Sequence, residues 1–281
     1  MRGRKLAVLI PLSLVALLVW VPLWLMLTGP LMGAGEASQN LSPVLGGVDG
    51  KAAFPLIARY PTLRPFVELL FDSPEFFATF RNSCVQVIPA VLGQVIVGAP
   101  AAWALARYRF RGRRFLRALY IALMLMPFQV TMVSNFLVLD RLRLMDTHWA
   151  MILPAAASTF PVFIMTRSFA ALPDSMCEAA SLDGAGDFQI FLRVGLPLGV
   201  PGIMSAVVLG FIELWNAVEQ PLSFLRTKSL YPLALYLPSI TVENIGISLA
   251  ASVIALMPAL LIFLFGQTWL EAGISTAGLK E

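Results

Sequence analysis

The sequence predicts an all-α membrane protein of about six transmembrane helices. Of its 281 residues, 58% are hydrophobic and only 13% are charged. A soluble domain has roughly 45–50% apolar and about 25% charged residues. The apolar residues gather in segments long enough to cross the hydrocarbon, which takes roughly 20 residues as a helix. The lysines and arginines mostly flank those segments. Basic loops held on the cytoplasmic side give that pattern. The net charge of +4 therefore reads as membrane topology, and no nucleic-acid partner is expected.

The first segment, Leu6–Leu27, follows the basic stretch "MRGRK". Its apolar run exceeds the roughly 7–15 residues of a signal peptide, and "LMGAGEAS" is a poor cleavage site. An uncleaved first span is expected. Residues 28–80 form the longest connection, mixed in character, with Pro, Gly and five acids. Within it "SPEFFATF" reads as a short amphipathic helix leading into the next span.

The later spans are expected at Ser83–Ala106, Leu116–Leu139, Trp149–Phe169, Leu198–Phe224 and Ile247–Trp269. Pro89, Pro100, Pro127, Pro154, Pro161 and Pro258 lie within them. Membrane helices tolerate proline where neighbours satisfy the freed backbone, so kinked and packed helices are expected. The chain divides into a first helix with a basic N-terminus (1–28), an extracytoplasmic loop (29–80), a membrane core (81–270) and a tail (271–281).

Orientation follows from "ARYRFRGRRFLR", which places Arg107, Arg109, Arg111, Arg113, Arg114 and Arg117 between the second and third spans without one acid. That loop should be cytoplasmic, and Arg2, Arg4 and Lys5 put the N-terminus on the same side. With six spans the C-terminus is cytoplasmic too, and residues 28–80 lie outside. The stretch "CEAASLDGAGDFQIFLRVGLPL", Cys177–Leu198, then falls in the cytoplasm. Around it stand Asp174, Glu178, Asp183 and Asp187 against Arg193 alone.

Local physics makes this stretch helix, turn, helix. Pro173 stands where a helix can begin. Ser175 and Glu178 have capping-box spacing. Ala179 and Ala180 favour helix. In "DGAG", Gly184 or Gly186 can take a left-handed conformation and stop it. Asp187 can cap a second helix in which Phe188, Phe191 and Leu192 share a face, and Pro197 ends the polar stretch. These features suit an ordinary cytoplasmic hairpin and a docking element for a soluble partner equally well.

Catalytic chemistry has little to stand on. The two cysteines, Cys84 and Cys177, and the one histidine, His148, are far apart and have no metal-ligand spacing. His148 would be the only base, in the short loop "RLRLMDTHWA". The stretch "GGVDGKAA", Gly46–Ala53, is a decoy for a phosphate-binding loop. Leu45 stands where the first glycine belongs, and Ala52 follows Lys51 where a hydroxyl is needed. No cofactor or metal is expected in this chain.

The order of residues in "EAASLDGAGDFQIFLRVGLPL" resembles the EAA loop of ABC importer permeases. That signature reads E-A-A, three residues, G, nine residues, I, one residue, L-P. Glu178, Ala179, Ala180, Gly184, Leu196 and Pro197 match it, with Val194 in the isoleucine place. "NSCVQV", "AAWALARYRFRGRR", "LMPFQVTMVSNFLVLDRLRLMDTHWAMILP", "GFIELWNAVEQPLSFL" and "FGQTWLEAGISTAGLKE" resemble the carbohydrate branch of that family, and within it the second permease subunit. The resemblance spans residues 76–281 and is weakest over 28–75.

The resemblance implies a type I ABC importer permease fold in a bacterial inner membrane, with a cytoplasmic coupling helix. The implied partners are a homologous second permease subunit, two cytoplasmic ATPase subunits that bind ATP and Mg, and an extracytoplasmic solute-binding protein. The implied cargo is a sugar or oligosaccharide. Glu178, Ala179, Ala180, Asp183, Gly184, Ala185, Phe188, Leu196 and Pro197 would form the ATPase-docking loop.

Polar residues at membrane depth either face a solute path or bond between helices. The candidates for a solute path are Gln129, Ser134, Asn135, Trp215, Asn216 and Gln220. Thr131, Glu213 and Glu219 stand with them, and Gln94 and Thr159 are weaker. Amides both donate and accept, which suits sugar hydroxyls, and Trp215 offers a stacking face. A polyol or glycerol phosphate importer is the alternative cargo class, and basic residues along the path would favour it. An ion-gradient transporter would need buried acids and an inverted repeat. Glu213 and Glu219 are the only such acids, and no repeat is evident.

Overall fold

Apolar chain in hydrocarbon must satisfy its own backbone N–H and C=O groups, which leaves helices as the local solution for runs of this length. The computed structural model describes residues 2–41, 43, 53, 55, 57–236 and 244–278, and among them every regular element is helical. In chain order the α-helices are α1 (Arg2–Thr28), α2 (Ala34–Leu41), α3 (Arg64–Asp72), α4 (Pro74–Arg107) and α5 (Arg113–Met124). Then come α6 (Phe128–Arg141), α7 (His148–Ala156), α8 (Thr159–Ala171), α9 (Asp174–Leu182) and α10 (Asp187–Ile190). The last three are α11 (Leu196–Trp215), α12 (Glu219–Phe224) and α13 (Ile245–Gly278). A π-helical turn, Phe191–Gly195, joins α10 to α11.

Among the described residues, five stretches are long and apolar enough to cross a membrane: Leu9–Leu31, Pro74–Arg107, His148–Ala171, Asp187–Trp215 and Ile245–Glu271. The α5–α6 pair passes the same test as one unit but is bent by 105°. The expected third span, Leu116–Leu139, is therefore two helices. Pro127 is the cause. It sits in extended backbone with ψ of 150°, and its ring disfavours helix in the residue before it. The fourth span is α7 and α8 with a break at Ser158, whose ψ is 138°. The fifth ends at Trp215, short of the expected Phe224, because Asn216 and the residues after it leave the helix before α12 begins. "SPEFFATF" is the start of the 34-residue α4 and not a separate helix.

Two units make up the chain. The first comprises Met1–Phe77 and Tyr236–Met257. In it α1 is apolar all round past its basic start, and none of its residues from Leu9 to Thr28 is buried. A helix of that kind belongs in lipid or against another membrane helix. After α1 the chain folds back through a small core of Met32, Ala37, Ala58 and Ile245. The Glu36 carboxylate accepts from the backbone N–H groups of Arg59 at 2.9 Å and Tyr60 at 3.3 Å. Arg64 and Glu68 pair at 2.6 Å along α3. The "GGVDGKAA" stretch lies almost wholly outside the described residues.

The second unit comprises Ala78–Leu235 and Pro258–Glu281. Its core joins Ala99, Ala102 and Trp103 of α4 to Val162, Met165 and Phe169 of α8, with Ile190, Phe191 and Ala206. Trp103 and Phe169 meet edge to face, centroids 5.3 Å apart. Helices α8 and α11 run in close contact because α11 offers glycines. A methyl group at Gly199 would overlap Phe169, and one at Gly202 would overlap Ser168. Small residues at such crossings let membrane helices approach and gain packing.

Candidate functional site: an exposed hairpin and a polar cleft

The hairpin at 174–190 is built as the sequence suggests, with different caps. Helix α9 follows Pro173, which stands in extended backbone at the N-cap, and no side chain caps it. The Ser175–Glu178 capping box does not form, because the helix starts two residues earlier than that box requires. Asp183 N–H donates to Ala179 O, and Ala185 N–H donates to Ala180 O at 3.1 Å. Gly184 closes the helix with φ of 82°, a conformation that costs a side-chain-bearing residue roughly 1–2 kcal/mol. Gly186, not Asp187, is the N-cap of α10, and its N–H donates to Gln189 Oε1 at 3.3 Å.

The aromatic face divides. Phe191 is buried against Trp103 and Phe169, at centroid distances of 5.8 and 6.5 Å. Phe188 and Leu192 remain exposed. One residue per turn thus anchors the hairpin while the others face out. On the outer surface Leu182 is 89% and Phe188 71% exposed, joined by Met176. Glu178, Ala179, Asp183 and Gly184 are exposed as well, while Ala180, Ala185 and Leu196 are half-buried and pack on the core. Pro197 does not end the helix. The chain runs on through the wider π turn, in which Leu196 N–H donates to Phe191 O, into α11. A wider turn accommodates a ring that would strain an α-helix interior.

The end of α4 is tied to this hairpin. One Arg107 Nη donates to Leu172 O at 3.1 Å and to Asp174 Oδ1 at 2.7 Å. The other donates to Pro173 O at 3.3 Å and contacts Cys177 Sγ at 3.0 Å. The guanidinium also lies 5.6 Å from the centre of the Trp103 ring. Arg113 and Arg117 of α5 donate to Leu105 O, and Arg113 also to Ala106 O at 2.6 Å. Cations at a helix C-terminus complement its dipole and fill otherwise orphaned carbonyls. From sequence these arginines read only as topological charge.

A second feature opens where α5 and α6 bend. A cleft of about 410 Å³ is lined by Gln94, Thr131, Asn135, Thr159, Glu213 and Gln220, with Phe128, Phe160 and Pro154 among its apolar walls. Of the six candidates, Asn135 and Gln220 line it. Gln129 donates instead to Glu219 Oε2 at 2.6 Å, and Ser134 is exposed and does not line the cleft. Trp215 is buried, stacked on Phe211 at 5.3 Å and edge-on to Phe80 at 5.7 Å, so its face is covered. Asn216 donates to Ile212 O at 2.8 Å and closes the end of α11. Gln94, a weaker candidate from sequence, lies 4% exposed in the cleft wall and donates to Ala155 O at 3.0 Å.

The "NSCVQV" stretch holds a loop in place. Asn82 Nδ2 donates to Ser229 O and Tyr231 O, Gln86 Nε2 to Leu230 O, and Leu233 N–H to Ser83 Oγ. His148 is the first residue of α7, not a loop residue, and its Nδ1 stands 3.1 Å from Gln86 Nε2. Asp146 performs a similar task nearby. Its carboxylate accepts from Thr227 Oγ1 at 2.6 Å and from the N–H groups of Arg226 and Thr227. The Thr227 hydroxyl and then these amides hold its carboxyl below the usual carboxylate range.

Known proteins share this architecture. The family model described as "Binding-protein-dependent transport system inner membrane component" matches residues 94–276. The arabinooligosaccharides transport system permease protein AraQ of Halalkalibacterium halodurans is 30% identical over 222 residues, spanning 78% of this chain and 80% of that one. The inner membrane ABC transporter permease protein YcjP of Escherichia coli is 28% identical over 274 residues, spanning 96% and 94%. A chain from a bacterial ABC transporter involved in the import of the acidic polysaccharide alginate superposes with a TM-score of 0.79 at 21% identity, covering 95% of this chain and 96% of that one. On these matches this multi-pass membrane chain belongs to the binding-protein-dependent transport system inner membrane components, the permeases of ABC importers.

Proposed function

We propose that this permease passes a sugar or short oligosaccharide, delivered by an extracytoplasmic binding protein, through a path shared with a second, homologous permease. Two separate cytoplasmic subunits bind and hydrolyse ATP, and the Cys177–Leu198 hairpin is where one of them takes hold. Both termini and the hairpin then lie in the cytoplasm. The observation that carries the proposal is the hairpin itself. It exposes Leu182 and Phe188 while Ile190 and Phe191 root it in the core. Large apolar side chains presented on a short polar hairpin are a recognition patch for protein.

The cleft favours a neutral polyhydroxyl cargo over a phosphorylated one. Its described lining offers amides, threonines and one carboxylate, with no lysine or arginine. A phosphate would call for cations or backbone N–H groups, whereas amides match sugar hydroxyls. The relative AraQ is named for arabinooligosaccharides, which agrees with this class.

The test is reconstitution of the assembled complex in proteoliposomes. Uptake of the sugar should require ATP inside and the binding protein outside, and this chain alone should neither hydrolyse ATP nor transport. Uptake by this chain alone under an ion gradient would refute the proposal.

A further inference from the structure

Three arginines meet at one place, the C-terminal end of α4. Arg113 and Arg117 reach back from α5 to the carbonyls of Leu105 and Ala106. Arg107 reaches the other way, to Leu172, Pro173, Asp174 and Cys177 at the entry to the hairpin. Its side chain is only 11% exposed, while that of Asp174 is 85% exposed. The guanidinium is thus buried at the joint and not a surface charge paired by chance. Its planar fork spans two successive carbonyls and a carboxylate, a pattern that lysine cannot reproduce.

We infer that Arg107 is a transmission residue: it locks the start of the docking hairpin to α4, so that a displacement of the hairpin moves α4 as well as α8. The inference rests on the proposed docking of the ATPase at this hairpin. Without the clamp, the extended residues Leu172 and Pro173, with ψ of 138° and 135°, would join α8 to α9 with no polar tie beside the apolar packing of Cys177 and Ala180 on the core. Their backbone bonds are long helix-end ones, Leu172 N–H to Phe169 O and Met176 N–H to Pro173 O, each at 3.4 Å, which leaves the joint easy to bend. With it, α4, α5 and the α8–α9 joint share one hydrogen-bonded node. Trp103, one turn back on α4, packs on Phe191 at the far side of the hairpin, so α4 grips the hairpin at both of its roots.

The test uses the assembled transporter in proteoliposomes and reads uptake per ATP hydrolysed, in complexes first shown to retain the ATPase subunits. Arg107→Ala should keep the ATPase subunits in the purified complex and hold hydrolysis within about twofold, while the ratio falls at least about tenfold. Arg107→Lys, which keeps the charge facing Asp174, should give an intermediate ratio and serves if the alanine variant fails to assemble. An unchanged ratio in either assembled variant overturns the inference. So does release of the ATPase subunits by Arg107→Lys, which would make Arg107 part of the docking surface. Failure of the docking proposal itself has a different signature: Leu182→Asp would then leave the ATPase subunits bound.

Discussion

The exposed hairpin and the polar cleft belong to the same unit of the protein but are specified in opposite ways. Short-range rules build the hairpin: a proline start, a run of alanines, a left-handed Gly184 and a second short helix, all within Pro173–Ile190. The cleft gathers Gln94, Asn135, Thr159 and Gln220 from four helices, and no local pattern joins them. The hairpin should therefore be sensitive to single backbone changes, and the cleft tolerant of any one side chain.

The largest effect is expected from Gly184→Pro. Proline fixes φ near about −65°, and Gly184 has φ of 82°. The turn must refold, and the ATPase subunits should be lost from the purified complex while the chain still inserts. Full retention of the ATPase subunits would break the contrast at once.

Next come Leu182→Ala and Phe188→Ala on the exposed face. Burying such a side chain is worth about 1.5–3 kcal/mol, so each should weaken ATPase association by roughly 10–100-fold. A binding titration with the detergent-solubilised membrane subunits reads this directly.

Smaller effects are expected in the cleft. Asn135→Ala or Gln220→Ala removes one hydrogen-bonding group worth about 0.5–1.5 kcal/mol. Half-saturation for uptake should rise by roughly two- to tenfold, with ATPase association unchanged. Asn216→Ala should leave it unchanged, since that amide is engaged with Ile212 O.

The smallest concerns Asp146. A carboxyl held below its usual value contributes stability above the unfolded pKa, about 3.9, and loses it as pH falls through the folded value. Asp146→Asn should lower the thermal unfolding temperature near neutrality. That gap should close as the pH is taken below about 4. A gap that widens in acid would mean that the carboxylate is not what holds the Arg226–Thr227 turn.

Legibility in the sequence follows the same division. Composition and periodicity were enough for the membrane class and for most of the spans, because hydrocarbon permits so few backbone solutions. The hairpin was readable because its signals lie within a few residues of one another. Proline effects were readable as kinks but not in degree. Pro127 breaks its span by 105°, while α4 runs unbroken through Pro89 and Pro100. Trp215 looked available for stacking because a sequence does not reveal that Phe80 and Phe211 already cover it. Phe188 and Phe191 looked alike for the same reason. Arg107 sits in a run of arginines that serve equally well as topology signals, and only the three-dimensional structure separates it, tied to the α8–α9 joint, from Arg113 and Arg117, which bond to the end of α4.

The central claim is that the exposed hairpin seats an ATPase subunit. A photo-crosslinking residue in place of Leu182, in the intact complex in native membranes, tests it most directly. A crosslink to the ATPase subunit is the predicted result. Crosslinks to lipid or to the extracytoplasmic binding protein, with none to the ATPase, would contradict it.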